Sequence, residues 1–390
     1  MSIANHPTTG DLIAEARVIN AASRLTRLGG GAMAPGVIAA MREISTTSVD
    51  MRTLQKAAGR RIAELTGAEA AMVTCGAAAG LMLAAAAVIT RVDPARIAAM
   101  PRTEGLPNRL IMARSHRNMY DIALRTPGTE LVEVGIADRY SGAGVRDCEP
   151  WEIETAVDER TAAVFYCATP EAEPRLEEVV AVAHAKGVPV IVDAAAQLPP
   201  RHNLTRFIAA GADLVAFSGG KAIGGPQASG ILCGRADLIE AALLNMMDHD
   251  IHPALRDGAL PPHGIGRPLK AGKEEIAGLL AALERFVATS DDDDAPRLRR
   301  RANRLAKLLR GIEGTKVALG APDRHGMVSR VELDCGTPDR AIALARALDR
   351  GDPRTVVVSN MLTRGIVIFS VDCLASGEDQ IIADQVRNYL

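Results

Sequence analysis

Short aliphatic and β-branched runs alternate along most of the chain with longer segments whose apolar positions recur every three to four residues. This alternation predicts an α/β architecture around a mostly parallel sheet, since parallel neighbours need a crossover, usually helical, between them. The pattern predicts helices over 54–66, 77–89, 176–185, 236–245 and 273–289, and strands over 70–73, 109–113, 130–134, 161–167, 188–192, 213–217 and 229–233. Gly187 stands where the helix 176–185 should end. Residues 252–268, rich in proline, glycine and histidine, predict a long irregular connection. The run Asp291 to Asp294 reads as a solvated acidic linker whose charges also suit the start of the next helix. Beyond it, helix, strand (327–333), helix, two strands (355–358 and 365–371) and a terminal helix predict a second, smaller α/β unit.

Ligands of an open parallel sheet collect beyond the carboxyl ends of its strands, so the polar residues that follow the apolar runs are the candidates for chemistry. Residues 73–80, Val-Thr-Cys-Gly-Ala-Ala-Ala-Gly, pass through small residues into a helix whose free N–H groups suit a phosphate. His116, after 109–113, is placed to stack on a ring or to move a proton. Asp193 closes 188–192, where a carboxylate needs a cation, a metal or a protonated ring nitrogen.

Ser218, Gly219, Gly220 and Lys221 close 213–217. They do not form a Walker A loop, which would need glycine in place of Val215 and serine or threonine in place of Ala222. Lys221 is left as a salt-bridge partner of Asp193 or as a Schiff-base lysine, whose reactive neutral amine a low-dielectric setting favours. A phosphate cradle, a stacking group, an acid for a pyridine nitrogen and an amine for an aldehyde are together the parts that bind pyridoxal phosphate.

Composition narrows the alternatives. With 48% hydrophobic and 24% charged residues the chain can bury a sizeable core, and 45 basic against 47 acidic residues give no electrostatic reason to expect nucleic acid. Six cysteines without a CxxC pair predict neither a zinc knuckle nor a disulfide framework, and no secretory signal is read, so the cytoplasm is the default location. The stretch 70–90 is uncharged but alanine-rich and broken by Thr74, Gly76 and Gly80, so no membrane span is expected. Nor is a metal site: the segment from Asp248 to His252 lacks a third-ligand spacing, and the aspartate run lacks that of an EF-hand.

The segments Ile19 to Ala22, Leu25 to Gly30, Val49 to Met51, Leu54-Gln55, Thr66 to Ala70 and Val73 to Gly80 carry a family resemblance. It continues through Arg114 to Asn118, Asp193 to Pro199, Ser218 to Lys221, Gly224 to Gln227, Gly266 to Lys270 and Lys273 to Glu275. On these residues the sequence resembles the fold type I (aspartate aminotransferase-like) pyridoxal-phosphate enzymes. Among those it is similar to the bacterial selenocysteine synthase (L-seryl-tRNA(Sec) selenium transferase) family and short relatives such as D-glucosaminate-6-phosphate ammonia-lyase.

The resemblance implies that Lys221 bears the cofactor, Asp193 pairs with its ring nitrogen, His116 stacks on the ring, and Cys75, Gly76, Ala77 and Ser218 surround the phosphate. Gln197 would approach the ring hydroxyl, and Arg27, Arg267 or Lys270 would bind substrate, reaching the neighbouring chain's site in a homodimer or larger homo-oligomer. It divides the chain into an N-terminal segment at the dimer interface (1–45), a cofactor domain (46–268), a connecting helix with acidic linker (269–294) and a small C-terminal domain (295–390). The expected reaction is α,β-elimination from a small polar or phosphorylated amino acid, with a selenium or sulfur transferase, an aminotransferase or racemase, and a non-catalytic cofactor-binding scaffold as alternatives. The N-terminus reads as too short for the tRNA-binding extension of full selenocysteine synthases, which favours the ammonia-lyase relatives.

Overall fold

A computed structural model describes residues 8–136, 148–255, 263–321, 327 and 329–390, arranged in two units. One is Met33–Ala288; the other joins Met1–Ala32 to Thr289–Leu390. The strands in chain order are β1 (Ile19–Ala21), β2 (Ala70–Thr74), β3 (Arg109–Ala113), β4 (Glu130–Val134), β5 (Thr161–Cys167) and β6 (Val190–Asp193). They continue with β7 (Leu214–Ser218), β8 (Gly230–Gly234), β9 (Lys316–Leu319), β10 (Arg330–Asp334), β11 (Thr355–Val357) and β12 (Ile366–Ser370).

The larger unit holds a seven-stranded sheet in the order β2-β8-β7-β6-β5-β3-β4. Every pairing from β7 to β4 is parallel, while β8 runs antiparallel to both β7 and β2. Successive residues alternate between two cores, as a strand's period of two requires. Val73, Ile111, Val164, Val192, Val215 and Ile231 face one of them; Met72, Leu110, Phe165, Ile191, Leu214 and Leu232 face the other. The alanine-rich helix Ala77–Thr90 lies almost wholly buried against the second face, and no helix among the described residues is long and apolar enough to cross a membrane.

The helix Met51–Thr66 covers the edge strand β2, and its sequence shows why. Gly59 is the point of approach, because a Cβ there would stand 2.0 Å from the Ala71 carbonyl oxygen. Gln55, 1% exposed, donates from Nε2 to the Val73 carbonyl (2.8 Å) and accepts from the Val73 N–H at Oε1 (3.0 Å). One side-chain amide thus replaces the missing neighbouring strand. Gln55→Leu leaves both backbone groups buried without partners and is expected to cost about 3 kcal/mol in urea unfolding.

The second unit has a three-stranded antiparallel sheet, β12-β10-β9, and a separate parallel pair of β1 with β11. Here the structure departs from the sequence reading. The acidic run, expected as a linker whose charges suit the start of the next helix, is itself that start, the first turn of the helix Asp291–Leu309. Ser290 caps it in a reciprocal box: its hydroxyl accepts from the Asp293 N–H, and the Asp293 carboxylate accepts from the Ser290 N–H. Four carboxylates there complement the positive end of the helix dipole.

The chain's division shifts accordingly. Helix Lys273–Val287, expected as a connector, belongs to the larger unit and packs on the helix Pro35–Ser45. Lys273 Nζ donates to the carbonyls of Ser45 (3.1 Å) and Thr47 (2.6 Å), closing that helix's C-terminus. The segment expected as 1–45 is likewise divided after Ala32, since Ile19 to Ala21 pair with Thr355 to Val357. Residues 256–262 of the long connection and Val328 of the expected strand 327–333 lie outside the described residues.

Candidate active site

The carboxyl ends of β2, β3, β5, β6 and β7 lie along one edge of the larger sheet, and the antiparallel β8 starts at that same edge. Thr74 and Ser218, the last residues of β2 and β7, are both in register with Gly230, the first residue of β8. Gly76 (φ +138°) turns the chain into helix Ala77–Thr90, and no side chain caps that helix. Its first N–H groups and positive dipole end are therefore available to an anion. Thr74 Oγ1 donates to the Gly76 carbonyl (2.8 Å) and fixes the turn.

Gly230 makes this arrangement possible. A Cβ there would stand 2.5 Å from the Gly76 carbonyl carbon and 2.8 Å from the Ala77 nitrogen. Gly230→Ala is expected to push the turn off β8 and weaken retention of a phosphorylated cofactor about tenfold, as read by equilibrium dialysis; ten is 1.4 kcal/mol, within the range for overpacking.

Lys221 sits in the wide turn Gly219–Ile223, where it breaks the helical pattern with φ −95° and ψ −122°. Both preceding glycines are required by space: a Cβ on Gly219 would stand 2.2 Å from Ser229 Oγ, and one on Gly220 2.7 Å from Gln227 Cα. Burial pushes the Lys221 amine below its ordinary value, and the Asp193 charge only partly offsets this. Asp193, the last residue of β6 and 9% exposed, is held above the usual carboxylate range by its own burial, against the opposing pull of the Ala195 N–H and Lys221. Its Oδ1 accepts from that N–H at 2.9 Å. Among the described residues the two make no ion pair within 4.0 Å, so the salt-bridge alternative for Lys221 is not what the geometry shows.

His116 ends the short turn Arg114–His116 after β3 and is 6% exposed. Its ring meets that of Tyr166 edge-on, with centroids 4.9 Å apart and planes at 85°, and its Nδ1 accepts from the Cys167 N–H at 3.4 Å. Cys75 is half-buried in the β2 turn, its thiol pushed up by burial. Gln197 is buried in the turn after β6, its carbonyl accepting from Asn203 Nδ2 at 2.7 Å.

The expected substrate residues are placed differently. Arg267, on the turn Arg267–Leu269, pairs with Asp248 at 3.0 Å; Lys270 is exposed; Arg27 is exposed in the other unit. The Arg267 contact uses the carboxylate of the segment weighed as a metal site, and no group of three or more metal-ligating side chains occurs among the described residues. Gly230, Tyr166 and Cys167 escaped the sequence reading. Tyr166 carried a faint signal, as one of four tyrosines and at a strand end; a glycine that opens a strand carries none.

The donor set fits pyridoxal phosphate: an uncapped helix start beside a glycine that leaves room for it, a ring at one side, a buried carboxylate and a half-buried amine. Comparison with known proteins places the fold. A solved D-glucosaminate-6-phosphate ammonia-lyase, 28% identical, covers 98% of both chains with a TM-score of 0.82. The cysteine desulfurase CsdA of Escherichia coli, 16% identical over 99% of both chains at a TM-score of 0.56, shares the fold alone. The architecture is that of the fold type I pyridoxal-phosphate enzymes.

A family described as L-seryl-tRNA selenium transferase matches residues 30–333, and the chain belongs to it. It is an enzyme. The D-glucosaminate-6-phosphate ammonia lyase of Salmonella typhimurium is 35% identical, over 69% of this chain and 68% of that one. A 5'-C-glycyluridine monooxygenase-decarboxylase of a Streptomyces species is 34% identical, over 86% of this chain and 80% of that one. That name describes a reaction outside those expected from the sequence.

Proposed function

We propose that the chain binds pyridoxal 5'-phosphate at Lys221 and acts as a lyase, taking a small polar or phosphorylated amino acid to a 2-oxo acid and ammonia. The observation that carries this reading is a half-buried amine and a buried carboxylate just beyond and at the ends of neighbouring strands β7 and β6, close enough to feel each other's charge yet not paired. Likeness in sequence and in fold to D-glucosaminate-6-phosphate ammonia lyase supports the reaction class. The cofactor, when bound, supplies an electron sink for charge released at the substrate's α-carbon.

Every other part belongs to the chain. The N–H groups of Gly76 and Ala77, with Cys75 alongside and Ser218 opposite, hold the phosphate; His116 covers the ring and Gln197 borders it. Asp193 holds a proton at the ring nitrogen, and that cation in turn favours its ionised form. Lys221 accepts the α-proton: an amine whose pKa is lowered has a larger neutral fraction near pH 7 than an exposed lysine. Arg27, Arg267 and Lys270 are the candidates for the substrate's anionic groups, within a homodimer working in the cytoplasm.

The test is a panel of β-hydroxy amino acids and amino sugar acids, with and without phosphate, assayed for 2-oxo acid and ammonia. A second reading has its own support in the monooxygenase-decarboxylase relative. Oxygen uptake with carbon dioxide release, and no ammonia from a β-substituted substrate, selects it instead.

A further inference from the structure

His116 is held by the last two residues of β5, and the side chain that ties its segment to them is Asn118. Asn118 Nδ2 donates to the His116 carbonyl (3.2 Å) and to Cys167 Sγ (3.5 Å), while Oδ1 accepts from the Tyr120 N–H (2.8 Å). The Asn118 N–H is in turn donated to Asp121, whose carboxylate also takes Arg117. Cys167 closes the loop by giving its own N–H to the His116 ring, and it stands in register with Asp193 on β6.

We infer that Asn118 and Cys167 are positioning residues that act as one latch, holding the His116 ring over the cofactor from the side of the ring-nitrogen carboxylate. The inference rests on the cofactor reading above. The thiol suits the post electrostatically: burial and then the Asp193 charge push it up to about 11, so it stays protonated and adds no second anion beside Asp193. Its sulfur can receive the Asn118 amide, and no covalent chemistry is asked of it.

A latch of two partners makes a specific prediction for a double-mutant cycle. In the protein loaded with pyridoxal phosphate, Asn118→Ala and Cys167→Ala each weaken cofactor retention about fivefold, the scale of one hydrogen bond, and flatten the visible circular dichroism of the bound ring. The double variant is no worse than either single one, and Cys167→Ser, which keeps an acceptor, stays near the wild type. Multiplying effects in the double variant, or an unchanged visible spectrum in the singles, overturns the latch. If Asn118→Ala fails to fold by far-ultraviolet circular dichroism, the contrast between Cys167→Ala and Cys167→Ser decides alone. Borohydride reduction of the wild type separates the two levels: no adduct at Lys221 removes the cofactor reading, whereas an adduct with spectrally silent variants removes only the latch.

Discussion

Lys221→Ala is expected to lose all borohydride-fixed cofactor and to lower turnover by about a thousandfold or more, the scale of removing a covalent anchor and a general base together. No other lysine is held as this one is. Glycines on its N-terminal side admit Ser229 and Gln227 to within a missing Cβ's radius, and Leu279 of helix Lys273–Val287 lies under Gly219 and Gly225. The turn that carries the amine is therefore fixed by backbone packing before any ligand arrives. Peptide mapping of the reduced protein checks the assignment, and partial rescue by a small exogenous amine distinguishes a lost base from a collapsed site. An adduct that persists in the alanine variant refutes it.

Asp193→Asn is expected to slow α-proton exchange on the order of a hundredfold, because an amide does not favour a protonated pyridine nitrogen. Its effect on stability runs the other way. In the cofactor-free protein, burial raises the Asp193 pKa, so the folded state keeps a proton that the unfolded chain releases near 3.8. Stability contributed by that bound proton is present below the unfolded value and is lost as pH rises toward the folded one. The asparagine variant has no such loss. Urea unfolding of the cofactor-free proteins should find the variant gaining on the wild type as the pH rises above 3.8, and proton exchange should find it slow. Wild-type exchange rates would make Asp193 a structural residue.

Much of the larger unit could be read from the chain because a parallel sheet buried on both faces writes itself as short apolar runs. β3, β4 and β5 fall on their expected residues, β2 runs one residue longer than expected, and β7 and β8 are displaced by only one. The expected strand 188–192 begins two residues late, at Val190, because Pro189 has no N–H to give a ladder. The strand ends on which the candidate site residues stand were legible for the same reason. What escaped depends on partners far away in sequence. β1 is three residues long and exists only because β11 pairs with it, and β9 alternates too weakly to announce itself. The aspartate run reads as a linker because four like charges look solvated; its fitness for a helix start is legible from those charges, while the cap that makes it the first turn itself lies in the single Ser290 before it. Gly230 and Cys167 matter through space and register, which residue types do not report.

The placement of β8 has a consequence for synthesis on the ribosome. β2 emerges early, yet among the described residues its one sheet neighbour is β8, the last strand of that sheet in chain order, and β7 reaches β2 only through that strand. Until Gly230 has left the exit tunnel, the phosphate turn at Gly76 has no strand to rest against and the lysine turn has no lid. Nascent chains arrested before that point carry an unpaired apolar β2 and no complete site, so cofactor loading is an event of the finished large unit and a prematurely terminated chain is a client for chaperones.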